Sequence, residues 1–167
     1  MELNSTALTK RLVDTVPGEL IVFRISDHCG HCIVLGHEGQ YTVLGALDMH
    51  SDQTPQPFHF RRNNSSRCVS YRTEWLVNPE PDQAFWAGNQ QYRSTPGSLH
   101  LEDNRWIVCF ASVNQEYSEV HFDLTSNNIC DAPSTDAAPV LKWSVWENRA
   151  EFEREADPLF SVTAAQD

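Results

Sequence analysis

The sequence predicts a mainly β fold: a single antiparallel β-rich domain, closed as a barrel or packed as a sandwich, with short helices near its N- and C-terminal ends. Three observations carry this. Short segments dense in branched and aromatic residues recur along the chain, residues 69–77 and 117–124 alternate at a period of two, and clusters of Gly, Pro, Asn, Asp and Ser separate them. The alternative is an α+β arrangement with the terminal helices on one face of the sheet. A length of 167 residues fits one domain over 1–167. Its expected parts are an N-terminal helix or arm over 1–17, a β core over 18–146 with a flexible loop at 126–139, and a C-terminal helix and tail over 147–167.

In chain order, Leu8, Leu12 and Val16 fall on one stripe, which predicts a short helix over Ser5 to Val16 ended by Pro17 and Gly18. Leu20 to Ile25 (LIVFRI) and Tyr41 to Leu47 (YTVLGAL) read as strands that pair with each other, or as strands joined through a hairpin arm at Cys32 to Leu35 and a turn at Gly36 to Gln40. Met49 to Pro57 reads as a loop. Between Val69 and Val77 the odd positions Val69, Tyr71, Thr73, Trp75 and Val77 form the expected inward face of one strand. A single helical turn is expected around Asp82 to Ala87, anchored by Phe85 and Trp86. From Ser98 to Leu124, strand-like SLHL, RWIVCFASV and YSEVHFDL alternate with turn-like EDN and NQE, which predicts an antiparallel meander. Its middle strand, Trp106 to Val113, is apolar on both faces and should be central, with Cys109 buried. Val140 to Trp146 (VLKWSVW) reads as a strand whose Trp143 and Trp146 point to opposite faces, followed by a surface helix over Glu147 to Ala156 docked by Phe152.

The composition excludes several classes. No segment approaches the roughly 20 apolar residues of a membrane-spanning helix, and MELNSTALTKRLVDTVPG holds no apolar run of signal-peptide length. Cysteines at 29, 32, 68, 109 and 130 are odd in number and scattered, unlike a disulfide framework. Together these predict a cytoplasmic protein with reduced thiols. A net charge of −11 opposes general binding to nucleic acid and favours a basic protein partner. It also serves solubility.

The densest reactive cluster is Asp27-His28-Cys29-Gly30-His31-Cys32, just after the apolar strand LIVFRI. Cys29-Gly30-His31-Cys32 resembles the redox site of the protein disulfide isomerase family. The resemblance implies thiol-disulfide exchange by Cys29 and Cys32 on a thioredoxin-like fold, with a helix after the motif lowering the pKa of the first cysteine. The residues that follow, IVLGHEGQYTVLG, are β-branched and glycine-punctuated and predict strand instead. His28, Cys29, His31 and Cys32 are also ligands soft enough for zinc. A third reading makes the cluster a turn between strands.

Arg61, Arg62, Arg67 and Arg72 lie near Phe58, Phe60 and Tyr71, with no acidic residue between Phe58 and Arg72. Arginines with aromatics suit an anion or nucleotide site, and equally a solvated loop whose arginines pair with distant carboxylates. His100 and His121 fall on adjacent expected strands with Glu119 and Asp123, a set that an acid-base group would use and that an exposed polar face also presents. No nucleophile elbow, phosphate loop or HExxH occurs. The functional expectation is therefore a small acidic binding protein without its own catalysis, for example an inhibitor or immunity-type partner of a basic protein. The alternative is a thiol-disulfide oxidoreductase or zinc protein built on the Cys29 to Cys32 motif.

Overall fold

In the computed structural model, which describes residues 7–25, 27–49, 57–80, 95–112 and 119–164, the period-two segments become ladders of two sheets. In chain order the strands are β1 (Leu8–Arg11), β2 (Leu20–Ile25), β3 (His28–Glu38), β4 (Tyr41–Ala46), β5 (Phe58–Asn63), β6 (Arg67–Ser70) and β7 (Leu76–Pro79). They continue with β8 (Leu99–Glu102), β9 (Arg105–Ser112), β10 (Val120–Asp123), β11 (Asn128–Cys130), β12 (Ala138–Val140), β13 (Lys142–Trp146) and β14 (Phe160–Thr163). One short helix, α1 (Arg149–Glu153), lies between the last two.

The larger sheet runs β1-β6-β2-β3-β4-β5-β9-β10-β11, with β8 beside β9 and β12 beside β8. The smaller is β14-β13-β7. Among the described residues every ladder is antiparallel except β5 with β9, where Phe58 lies opposite Ala111 and His59 opposite Ser112, so the large sheet is mixed. Among the described residues no ladder joins the ends of the sheet into a closed barrel.

Burial explains the layering. Leu20, Ile33, Leu35, Val43, Val108, Phe110 and Phe122 project from the large sheet onto Trp143, Val145, Phe160 and Val162 of the small one, forming the main core. On the reverse face Ile21, Phe23, Cys32, Val34 and Leu44 pack with Leu12, Met49, Phe58 and Cys68. Strands β2, β3 and β4 are thus buried on both faces, which is why LIVFRI and YTVLGA read as nearly continuous apolar runs.

Several expectations are corrected. The stretch expected as an N-terminal helix holds strand β1, which pairs with β6, and then a single 3-10 turn over Leu12–Asp14. Residues 1–6 lie outside the described ones. Strands β2 and β4 do not pair with each other, because β3 lies between them. The stretch 69–77 is two strands in different sheets, parted where Arg72 takes a φ of 63°. Its first half is also inverted: Ser70 is buried and Val69 exposed, because the Ser70 hydroxyl donates to Glu19 Oε2 (2.6 Å), itself paired with Lys10 (2.8 Å). VLKWSVW likewise breaks at Leu141 into β12 and β13. The 126–139 loop carries β11 and part of β12, and the C-terminal helix is only five residues long and gives way to β14.

The meander forms as expected over β8, β9 and β10. Asp103 and Asn104 link β8 to β9 with φ of 46° and 63°, the pair of positive values that a tight hairpin needs. Cys109 is fully buried in the central β9. Trp143 is in the core, while Trp146 meets Phe152 of α1 edge-on at 5.1 Å and donates Nε1–H to Ala156 O. The loop at 50–56, the turn around Asp82 to Ala87 and the NQE turn lie outside the described residues. No helix among the described residues is long and apolar enough to cross a membrane.

Candidate functional site

Cys29, Gly30, His31 and Cys32 all lie within β3, in unbroken register with β2: Cys29 opposite Arg24 and Cys32 opposite Ile21. Three residues of extended strand separate Cα atoms by about 10 Å, beyond the roughly 7 Å that a disulfide tolerates. Alternation also puts the two thiols on opposite faces: Cys29 is exposed, Cys32 buried in the reverse core. Burial, then the nearby Asp48 carboxylate, push the Cys32 thiol far above its ordinary range, the reverse of a reactive thiol. No helix follows the motif, and the thioredoxin-like arrangement implied by the resemblance is absent. The same alternation divides the four residues considered for zinc, with His28 and Cys32 on one face and Cys29 and His31 on the other. A single ion cannot gather all four. Gly30 is required by close packing, since a Cβ there would lie 2.8 Å from the Met49 Cα.

His31 has a different environment. Its ring stacks on Phe160 of the small sheet at 4.5 Å between centroids. Its Nδ1 lies 2.9 Å from Asp48 Oδ2, and its backbone N–H donates to Asp48 Oδ1. Asp48 thereby fixes the ring against the seam between the sheets, a structural use of the histidine.

The arginines do not converge. Arg61 and Arg62 sit on β5, beside β4, while Arg67 lies on β6 between β1 and β2, and Arg72 is in the turn beyond it. Arg61 pairs with Glu38 at 2.7 Å, and Arg62 lies over the Phe60 ring at 5.6 Å. The set behaves as separate surface cations, two of them engaged locally. His100 and His121 also fall on strands that are not neighbours, since β9 separates β8 from β10.

A concavity that sequence reasoning did not assemble lies where the turn before β7 meets β9 and the turn after β10. It encloses about 500 Å³, with Trp75, Leu76, Val77, Trp106 and Leu124 as its apolar wall and Glu74, Thr125 and Arg149 among its polar groups. Trp75 is held by its Nε1–H, which donates to Gly18 O at 2.8 Å. Both tryptophans were visible as strand residues. Their placement around one concavity follows the break at Arg72, beyond which β7 joins the second sheet. A volume of this size falls within the range of pockets that take a small ligand, and it also has room for a partner's side chain.

No family model matches the chain, and no curated protein and no solved structure matches it.

Proposed function

We propose that this protein is a non-catalytic binding module that engages a basic protein partner, with the Trp75/Trp106 concavity as its anchor site. The carrying observation is that concavity: two indoles and three aliphatic side chains around about 500 Å³, with the Glu74 carboxylate at its wall. Tryptophan is the residue that most often supplies binding energy at protein interfaces, and its face attracts cations. Arg149 also lines the site, so local charge is mixed; the bias toward a cationic occupant comes from the chain's net charge of −11. An inhibitor or immunity-type protein that neutralises a basic target is one concrete form.

The test is capture of the partner from the native cell with the parent protein and with Trp106→Ala and Glu74→Lys variants that retain the parent's circular dichroism. A basic protein retained by the parent and lost from both variants is the expected result. Equal retention by all three proteins, or capture of acidic partners, contradicts the proposal. The alternative, thiol-disulfide exchange through Cys29 and Cys32, has the 10 Å strand spacing against it.

A further inference from the structure

A different group of side chains lies on β9, on β10 and at the residue just before β10, on the face opposite the main core. In the antiparallel register Cys109 stands directly across from His121. The Cys109 backbone N–H and C=O both bond toward β8, through Ser98 O and the Gly97 N–H. Toward β10 it therefore forms a non-hydrogen-bonded pair, the type in which Cα atoms approach to about 4.5 Å and the side chains stand closest. Glu119, two residues before His121, projects to the same side of the sheet. The thiol, a carboxylate oxygen and an imidazole nitrogen of these three residues all lie within 4.8 Å of one another. Cys109 and His121 are buried, and Glu119 is exposed.

We propose that Cys109, Glu119 and His121 form a site for a zinc-like divalent cation, with its fourth position open to solvent. Thiolate, imidazole and carboxylate are the ligand types that zinc accepts, and the distances among them need contract by only about an ångström to meet a tetrahedral ion. The charges balance: one thiolate and one carboxylate neutralise a divalent cation, leaving no net charge in a largely buried place. Release of the Cys109 thiol proton to solvent accompanies binding. The exposed Glu119 supplies the entry path. A catalytic thiol is the competing use of a cysteine beside a histidine, and the environment disfavours it. Cys109 has no exposure, and burial followed by the Glu119 charge pushes its pKa up to about 12. A bound cation reverses that penalty.

The test is titration of the chelator-treated full chain with Zn²⁺ and with Co²⁺ as a spectroscopic probe. The parent should bind one equivalent, and the cobalt form should show a thiolate-to-metal charge-transfer band. Cys109→Ser should lose that band. Because Cys109 is a core residue, Glu119→Ala at the exposed ligand is the second variant; it should keep the parent fold and weaken zinc binding by at least about tenfold. Cys29→Ser should bind as the parent does. Absence of the band in the parent, unchanged affinity in Glu119→Ala, or loss of the band in Cys29→Ser would each overturn the assignment.

Discussion

At Gly45 in β4, an added Cβ would lie 2.5 Å from a ring carbon of Phe110, which is itself fully buried. The ring has nowhere to retreat. Gly45→Ala should therefore destabilise the protein by about 1–3 kcal/mol through overpacking, seen as a lower Tm, whereas a Tm equal to the parent's would show that the core around Phe110 packs more loosely than described. The thiols give a second residue-scale prediction. Cys29 is exposed and Cys130 half-buried, while Cys32, Cys68 and Cys109 are buried, and burial first of all raises the pKa of Cys68 to about 11. An alkylating reagent should modify Cys29 and then Cys130 in the native protein, and all five only after denaturation. Labelling of Cys32 as fast as Cys29, or a bridge between them found by mass spectrometry, would contradict the strand geometry. The motif was legible in the sequence as four reactive residues, but its meaning depended on backbone conformation. Helix would have brought the sulfurs together, and β3 sets them on opposite faces.

At the scale of elements, the strongest local patterns survive and the failures have non-local causes. The meander was legible because each strand and its turn lie within a short stretch of chain. The Ser5 to Val16 stripe and the 69–77 alternation were misleading because β1 and β6 are fixed by each other and by Glu19, far away in sequence. The buried Glu19 carboxylate accepts a hydrogen bond from the Ser70 hydroxyl and pairs with Lys10. Ser70→Ala should leave that oxygen short of a donor and cost about 1–3 kcal/mol, with accelerated amide hydrogen exchange in β1 and β6. Unchanged stability would mean that pairing of these strands does not depend on the buried polar contact. The 117–124 alternation does set Val120, Phe122 and Leu124 toward the main core, but its polar positions are not a simple exposed face. His121 and Asp123 are buried as well. Register across β9 and β10, which the sequence leaves open because the length of turn between them is not encoded by any tight-turn motif, is what puts His121 against Cys109.

For the molecule as a whole, two sheets share one core, and the seam between them makes the features that the sequence could not show. Phe160 stacks on His31 across that seam, and Trp75 and Trp106 line one concavity. The β class and the acidity were legible from composition and period. The concavity was not, because it is assembled from the turn before β7, strand β9 and the turn after β10, which come together only when β7 leaves the large sheet. In the proposed function an acidic chain presents this aromatic concavity to a basic segment. Titration of tryptophan fluorescence with a defined Arg/Lys-rich peptide, beside a Glu/Asp-rich peptide of equal length, tests it most directly. The expected result is a saturable change with the basic peptide only, weakened as salt rises and abolished in Trp106→Ala. No response to the basic peptide, or an equal response to the acidic one, would contradict it.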